Sequence, residues 1–357
     1  MVDPVMALVV AVVLGGAAAL LLWPVRGLYW RWEHVLRASD RVLSEDALKY
    51  LFDCEYRELT GTLHGLTGAL GISDKRAVRL LQRLQQLGLI DSEAGEYRLT
   101  EEGRAQALQI IRVHRLWEHH LSEDTGMDAA AWHREADRRE HTTSAEEAEA
   151  MAARHGHPRY DPHGDPIPTA SGELRPHRGR PLSDLNAGDV GRIAHLEDEP
   201  ESVYRQLVDE GLSVGMQVRV LATGREAVRF EADGREHSLA PVVADNVSVA
   251  ALAEGQALKA AADRMSALSP GQQGTVVGIS SACRGAERRR LMDLGLIPGT
   301  VVGAELQGPG GDPTGYRIRG AVIALRRQQA DWIQIRRPGE GEGGAEAKAQ
   351  AGGGAAA

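Results

Sequence analysis

The C-terminal half of the chain repeats itself, and this repeat limits the folds that it can adopt. One matching pair is D-L-N-A-G-D-V-G-R-I (184–193) with A-L-S-P-G-Q-Q-G-T-V (267–276), and another is Q-L-V-D-E-G-L-S-V-G (206–215) with R-L-M-D-L-G-L-I-P-G (290–299). The offsets are 83 and 84 residues, and the surrounding sequence consists mostly of short β-type runs. Because self-similarity at a fixed period indicates tandem copies of one unit, we predict two small β-barrels over residues 182–252 and 265–337.

Length and composition exclude several classes of protein. The 357 residues are too many for one ordinary domain. Charged residues at 25% and apolar residues at 43% are globular values, which argues against a disordered chain or a polytopic membrane protein. The two cysteines, Cys54 and Cys283, are too few for a disulfide scaffold, an iron–sulfur protein or a thiolate zinc finger. The net charge of −9 requires any nucleic-acid surface to be a local basic patch.

The N-terminus contains nineteen consecutive apolar or small residues, from Val5 to Trp23. This length just spans a bilayer, and the flank that follows carries Trp30, Arg26 and Arg31. We therefore predict a single transmembrane anchor over residues 1–24 and an amphipathic stalk over 25–42. The positive-inside rule then places the bulk of the chain in the cytoplasm, as a single-pass protein of the inner membrane. The alternatives are a buried helix, or the last helix of a transporter whose gene was split.

Residues 43–104 have the pattern of a winged helix-turn-helix. An apolar helix leads into G-I-S, where Ser73 is positioned to cap the next helix, and that helix ends at Gly88. We expect Val78, Leu81, Leu84 and Leu87 to face inward. The following D-S-E-A-G-E-Y-R-L-T (91–100) predicts a turn between two short strands, which is the wing.

The second of these helices carries a basic stripe opposite its leucine face. Arginines recur at spacings of three and four residues, with further polar side chains beside them: Ser73, Lys75, Arg76, Arg79, Gln82 and Arg83. Such a stripe is suited to the phosphates and base edges of a double-stranded DNA operator. The alternative is an ordinary solvated face.

Four potential metal ligands recur at helical spacing further along the chain. His133, Asp137, Glu140 and His141 stand at i, i+4, i+7 and i+8, so a helix projects them from one face. His114 and Glu118 repeat the i, i+4 spacing on the preceding helix. Imidazoles and carboxylates without a thiolate suit Mn²⁺ or Fe²⁺, with Zn²⁺ or Co²⁺ able to enter. A charged solvated face would carry the same residues without binding a metal.

These motifs resemble the iron-dependent-repressor family, which includes the diphtheria-toxin repressor and the manganese-transport regulators. The resemblance covers about Leu43 to Pro168 and rests on V-H-R-L-W-E-H-H-L, W-H-R-E-A-D-R-R-E-H-T-T-S and P-H-G-D-P-I-P. It implies a homodimeric winged-helix regulator whose DNA affinity depends on bound metal, with a metal-binding and dimerisation domain over 105–155. The resemblance further implies two sites per chain: a primary site of Asp46, Asp137, Glu140 and His141, and a second site of His114, Glu118 and His133.

One position departs from the manganese-sensing members of that family. Those members have a glutamate one turn after the position of Asp46, whereas this chain has Lys49. An ammonium group there can occupy the space and charge of a second metal. The choice between Mn²⁺ and Fe²⁺ stays open for this reason.

The two C-terminal copies resemble FeoA-like domains, the second more closely than the first. In repressors a loop of such a barrel can supply ligands to the second site, and the resemblance implies His195 and Asp198 for that role. An ordinary polar loop is the alternative. A Pro/Gly-rich linker is predicted over 156–181 and a disordered tail over 338–357.

The sequence thus predicts an α+β multidomain protein: an anchor, a winged helix-turn-helix, an all-α metal-binding domain and two small β-barrels. The favoured function is a membrane-anchored, metal-dependent transcriptional repressor of metal-uptake genes. The alternative is a cytosolic metal-sensing module of a ferrous-iron or manganese transporter that does not bind DNA. No nucleophile elbow or phosphate-binding glycine loop appears, so we expect no enzyme.

Overall fold

The computed structural model describes Met6 and residues 40–176, 178–252 and 262–338. The predicted anchor (apart from Met6), nearly all of the stalk and nearly all of the C-terminal tail lie outside the described residues. Of the helices that are described, none combines the length and the apolar character that a membrane crossing needs. The chain divides into two compact units, each considered by itself. Unit 1 comprises residues up to Val113 with 140–143 and 168–173, and unit 2 comprises 114–139, 144–167 and the residues from Leu174 onward.

Unit 1 begins with a winged helix-turn-helix. Its helices are α1 (Asp40–Tyr56), α2 (Leu63–Leu70) and α3 (Asp74–Gln86), and its strands are β1 (Gly61–Thr62), β2 (Ile90–Glu93) and β3 (Glu96–Leu99). The strands form an antiparallel sheet in the order β1-β3-β2, and the β2–β3 hairpin is the wing. Thr62 caps α2 by accepting a hydrogen bond from the Gly65 N–H. The left-handed φ of Gly71 then ends α2 and starts the turn into α3.

The inward face of α3 differs from the expected one by one register position. The buried residues are Ala77, Leu80, Leu81 and Leu84, a stripe at i, i+3, i+4 and i+7. Val78 and Leu87, which we expected to face inward, are 38% and 59% exposed. The small Ala77, which is 0% exposed, begins the buried stripe. Counting only large apolar residues therefore shifts the predicted face.

Three further helices follow the wing. They are α4 (Glu101–Asp124), α5 (Trp132–Glu140) and α6 (Ala145–Arg154), with a 3₁₀ turn at Ala129–Ala131 between α4 and α5. A capping box fixes the start of α6, because Ser144 and Glu147 each satisfy the other's backbone N–H. His141 lies just beyond the C-terminus of α5, and His155 is the C-cap of α6.

The segment predicted as a linker is ordered where it is richest in proline. The Asp161 carboxylate accepts hydrogen bonds from the backbone N–H groups of His163, Gly164 and Asp165 at 2.9, 2.8 and 2.9 Å. Tyr160 and Pro166 form an isolated antiparallel bridge across the same loop. Asp161 and His163 are buried. The prolines thus shape a tight loop that holds polar side chains inside unit 2.

The first C-terminal copy is a six-stranded antiparallel sheet in the order β4-β9-β5-β6-β7-β8. Its elements are β4 (Arg180–Pro181), β5 (Val190–Leu196), α7 (Glu201–Asp209), β6 (Gln217–Thr223), β7 (Val228–Ala232), β8 (Arg235–Leu239), α8 (Pro241–Ala244) and β9 (Val247–Ala251). Its core includes Leu207, Val218 and Phe230, all fully buried.

The second copy has the same strand order, β10-β15-β11-β12-β13-β14. Its elements are β10 (Asp263–Arg264), β11 (Gln273–Ile279), α9 (Gly285–Asp293), β12 (Val301–Gln307), β13 (Thr314–Ile318), β14 (Ala321–Leu325), α10 (Arg327–Asp331) and β15 (Ile333–Arg336). Even the β-bulges recur: the register shifts at 193/195 and 220/222 in the first copy and at 276/278 and 304/306 in the second. The predicted internal repeat is confirmed.

Candidate metal centre

A first group of potential ligands, the His141 cluster, consists of Glu45, Asp46, Lys49, Glu140 and His141 in unit 1. His141 Nδ1 lies 2.6 Å from Glu45 Oε2, and His141 Nε2 lies 3.2 Å from Asp46 Oδ1. Glu140 Oε1 is 3.5 Å from the same Nε2. Asp46, Glu140 and His141 thus offer three ligand atoms close enough together to hold one metal ion.

Lys49 neutralises the most buried carboxylate of this cluster. The side chain of Glu140 is 0% exposed, and Lys49 Nζ donates to its two oxygens at 2.8 and 3.0 Å. A buried carboxylate without a positive partner is strongly unfavourable. The ammonium group therefore supplies the positive charge that a cation bound to Glu140 would otherwise supply.

The imidazole of His141 is held in its protonated form. Burial by itself would lower the pKa of His141, but hydrogen bonds to Asp46 and Glu45 outweigh burial and raise the pKa to about 9. At neutral pH the cluster therefore contains an imidazolium between two carboxylates. A metal ion that uses Nε2 must displace this proton.

A second group, the His133 cluster, lies in unit 2 and consists of His114, Glu118, His133, His163 and Asp198. His133 Nδ1 lies 2.7 Å from Asp198 Oδ2 and 3.2 Å from Glu118 Oε1. His114 Nε2 lies 3.1 Å from the same glutamate oxygen and 3.3 Å from His133 Nδ1. The ligand atoms of the predicted second site are therefore adjacent.

Buried charge dominates the His133 cluster. Burial would raise the pKa of Glu118, but the neighbouring His114 and His163 and hydrogen bonds from His114 and His133 hold it well below its usual value. Burial likewise opposes protonation of His133, yet its hydrogen bonds to Asp198, Glu118 and Glu199 raise its pKa strongly. A carboxylate-rich pocket of this kind attracts positive charge, whether a proton or a metal ion.

Two of the predicted ligands have other neighbours. Asp137 Oδ1 lies 3.3 Å from His114 Nδ1, and Asp137 Oδ2 lies 3.6 Å from His133 Nε2; its membership of the primary site stays a prediction. His195 Nε2 lies 3.3 Å from Asp165 Oδ2 and belongs to none of the groups of potential ligands found among the described residues. Asp198 is the residue of the first β domain that joins the His133 cluster.

Three further residues at these clusters were missed by the sequence reasoning: Glu45, His163 and Glu199. His163 Nε2 lies 3.6 Å from Glu118 Oε1 and 3.9 Å from Asp198 Oδ2. Both of its ring nitrogens are buried without a hydrogen-bond partner in the described part of the chain. The P-H-G-D-P motif was the available indication, since a histidine between a proline and a glycine is fixed by the loop. His163 lies outside the helices that carry His114, Glu118 and His133, so helical spacing could not place it beside them.

The basic stripe of the winged helix lies on the accessible side of α3. Ser73, Lys75, Arg79, Gln82 and Arg83 are exposed, and Arg76 is half-buried. Ser73 is the N-cap residue, but its side chain makes no capping hydrogen bond within the described structure. Arg83 Nη1 lies 3.5 Å from Asp40 Oδ2, with both side chains more than half exposed, so this pair contributes little stability.

Comparisons with known proteins agree with this arrangement. Residues 100–169 match the profile of the iron dependent repressor, metal binding and dimerisation domain. Residues 180–251 and 264–337 each match the FeoA domain. The chain contains an iron-dependent-repressor domain followed by two FeoA domains. The repressor domain includes every member of the His114–His141 pattern, and the first FeoA domain includes Asp198.

The similar proteins include transcriptional repressors and a membrane protein of metal transport. The iron-dependent repressor IdeR of Mycobacterium tuberculosis is 26% identical over 212 residues, which cover 56% of this chain and 92% of that protein. A solved structure of a manganese-dependent transcriptional repressor in complex with manganese has a TM-score of 0.55 and 30% identity, and the match covers 58% of this chain and 100% of that chain. A probable metal transport system membrane protein of Chlamydia trachomatis is 32% identical over 81 residues, which cover 23% of this chain and 18% of that protein.

The side chains present fit a divalent cation. In both clusters imidazole nitrogens and carboxylate oxygens lie next to one another, a donor set that suits Mn²⁺, Fe²⁺, Co²⁺ or Zn²⁺. Within the His133 cluster, the buried ring of His163 makes no hydrogen bond in the described part of the chain and is a further nitrogen donor. Both groups thus have donor sets that a divalent cation can use.

Removing the charge of Lys49 should strengthen metal binding. In a Lys49→Met chain the buried Glu140 loses its ammonium partner, so we expect a lower apo melting temperature and a Mn²⁺ dissociation constant lower by about tenfold, or about 1.4 kcal/mol. Titration calorimetry and thermal melts with and without Mn²⁺ measure both. Lys75→Met, on the exposed face of α3, is the control and should change neither. An unchanged Mn²⁺ affinity in Lys49→Met would contradict the competition.

The raised pKa of His141 predicts a pH-dependent stability of the metal-free protein. The folded-state pKa is raised from 6.5 to about 9, so the stabilisation is fully present below the unfolded value and is lost as the pH rises through about 9. Urea unfolding of the wild type and His141→Gln, in chelator between about pH 6 and about pH 9.5, should show a stability difference that shrinks with rising pH. A difference that is constant across this range would refute the ion pair.

Proposed function

We propose that this protein is a metal-dependent, DNA-binding transcriptional regulator. The observation that carries the proposal is the position of Asp46. This residue lies on α1 of the winged helix-turn-helix, and its carboxylate lies 3.2 Å from His141, just beyond the helix α5 that carries Glu140. A cation held by Asp46, Glu140 and His141 would therefore link the DNA-binding module to the repressor domain. The related repressors of known metal dependence support this reading.

The metal at these sites is proposed to be Mn²⁺ or Fe²⁺, with Zn²⁺ or Co²⁺ able to bind in vitro. When bound, the ion supplies positive charge that several buried carboxylates can share. Asp46, Glu140 and His141 would hold it in the His141 cluster, and His114, Glu118, His133 and Asp198 would hold it in the His133 cluster. In the His141 cluster the ion would join α1, which carries Asp46, to the end of α5 and the residue that follows it.

The wing and the exposed stripe of α3 are proposed to bind a double-stranded DNA operator as a homodimer. Lys75, Arg79 and Arg83 are positioned for phosphates or base edges on one exposed helix face. In a dimer, metal binding would favour one angle between the two recognition helices. A coupling free energy of about 1.4 kcal/mol would raise DNA affinity tenfold. The regulated genes are proposed to be those of metal uptake, with the protein as their repressor.

A second candidate function is a metal-sensing module of a transporter that does not bind DNA. The match to a metal transport system membrane protein favours it, although the match covers only 18% of that protein. The two FeoA domains and the predicted anchor at residues 5–23 are compatible with it. The complete winged helix with its basic face favours the regulator.

The regulator requires Mn²⁺-dependent DNA binding that is lost in a Glu140→Ala, His141→Ala chain. Footprinting on the protein's own promoter with and without Mn²⁺ measures this, and we expect the double variant to lose at least tenfold in Mn²⁺-dependent affinity. The control is Glu149→Ala, His157→Asn, an exposed glutamate–histidine pair 3.6 Å apart, because asparagine tolerates the left-handed φ of His157. Retained metal dependence in the Glu140, His141 variant would refute the site. Absence of DNA binding by the wild type at any Mn²⁺ concentration would favour the transporter module.

Membrane anchoring is a separate proposal, supported by the uncharged run from Val5 to Trp23. The full chain should stay in the membrane fraction after a carbonate wash, and a chain that starts at Pro24 should become soluble. A C-terminal reporter should be active only in the cytoplasm. Recovery of the full chain in the soluble fraction, or cleavage to a new N-terminus near Trp23, would overturn the anchor.

A further inference from the structure

A third group of potential ligands lies apart from the two clusters described above. This group, the His155 cluster, consists of His120 and Asp124 in the last turns of α4 and His155 at the C-cap of α6. His120 Nδ1 lies 3.0 Å from Asp124 Oδ2 and 3.4 Å from His155 Nε2, and His155 Nε2 lies 3.3 Å from the same Asp124 oxygen. None of the three residues belongs to the His141 cluster or the His133 cluster.

The three distances fit a single bound ion. With metal–ligand bonds of about 2.0–2.2 Å, neighbouring ligand atoms lie about 3.0 Å apart in octahedral and about 3.4 Å apart in tetrahedral coordination. The three edges of the His155 cluster fall in that interval. Without a metal, each ring nitrogen can donate a hydrogen bond to Asp124. The three side chains therefore have polar partners both with and without a bound ion.

The surroundings hold these ligands in place and leave one side open. The ring of His119 packs edge-on against His155 at a centroid distance of 5.1 Å, and Trp117 packs edge-on against His120 at 5.5 Å. His155 is nearly buried, whereas the side chains of His120 and Asp124 are 21% and 31% exposed. Three protein ligands beside an open side leave room for water in the remaining coordination positions.

The positively charged guanidinium of Arg289 lies near the other oxygen of the Asp124 carboxylate. Arg289 Nη2 lies 3.7 Å from Asp124 Oδ1 and donates to the Glu123 carbonyl at 2.8 Å. Asp124 Oδ2, the oxygen that faces both imidazoles, is the one available as a ligand. The guanidinium therefore holds the Oδ1 side of the carboxylate and leaves Oδ2 facing the two imidazoles.

We propose that His120, Asp124 and His155 form a third divalent-metal site, selective for a nitrogen-preferring ion such as Zn²⁺ over Mn²⁺. Two imidazoles and one carboxylate give a nitrogen-rich donor set, whereas the His141 cluster offers two carboxylates and one imidazole. Imidazole suits Zn²⁺, and carboxylate-rich sets suit Mn²⁺. The ion cross-links the end of α4 to the end of α6 and requires neither DNA binding nor the other two sites.

The test is the number of Zn²⁺ and Mn²⁺ ions bound by the full chain. Calorimetry with Zn²⁺ should give three equivalents for the wild type and two for His155→Asn, while Mn²⁺ should give the same number for both. His157→Asn is the matched control, because His157 is two residues away and its side chain is 62% exposed. It should retain three Zn²⁺ equivalents. Asn tolerates the left-handed backbone of His157, with φ at 54°.

A near-isosteric variant keeps the test decisive if His155→Asn folds poorly. Asp124→Asn preserves shape and removes the charge, so its thermal melt without metal should stay close to that of the wild type, with at least a tenfold loss of Zn²⁺ affinity at one site. Co²⁺ titration gives a second readout, since both variants should lose one set of visible absorption bands. Unchanged Zn²⁺ stoichiometry and Co²⁺ spectra in both variants would overturn the third site. Those results would leave the proposed DNA-binding function untouched, because its ligands are different residues.

Discussion

The packing of α4 and α5 depends on how two buried carboxylates are neutralised. Glu140 and Glu118 have almost no exposed side-chain surface, and an unpaired carboxylate in such a position is strongly destabilising. In the described structure Glu140 is paired with Lys49, and Glu118 is surrounded by the imidazoles of His114, His133 and His163. Each buried carboxylate therefore requires that the segments carrying its positively charged or hydrogen-bonding partners pack next to it. The same pairing explains why these positions are suited to exchange a proton or an ammonium group for a metal ion.

Helical spacing predicted part of this arrangement, and the reason for its limit is geometric. The i, i+4 pairs His114–Glu118 and His133–Asp137 lie together because residues four apart share a helix face. Helical spacing does not fix the position of His141, because α5 ends at Glu140. Glu45, His163 and Glu199 come from a different helix and from two loops, and periodicity within one helix contains no information about such long-range contacts.

For the two FeoA domains, in contrast, the repeated motifs predicted the repeated fold but not the individual side chains at the His133 cluster. The glycine-containing motifs that match at offsets of 83 and 84 residues sufficed to predict two copies, and both copies repeat the strand order and the bulges. A bulge requires one extra residue at a fixed place in the strand, so conserved spacing between motifs preserves it. Individual side chains follow no such rule. The loop after β5 supplies Asp198 to the His133 cluster in the first copy, and the corresponding part of the second copy has S-S-A-C-R-G instead.

The ammonium group of Lys49 has a consequence for the concentration range in which a metal can be detected. Because it is attached to the chain, its local concentration at Glu140 is constant and does not depend on how much protein the cell makes. In the proposed regulator this amine would compete with the metal for Glu140 and shift half-saturation to a higher concentration of free metal. The protein would then respond only above a threshold concentration that the ion pair sets. Exchange of this single residue on α1 would change that threshold while every proposed ligand stays in place.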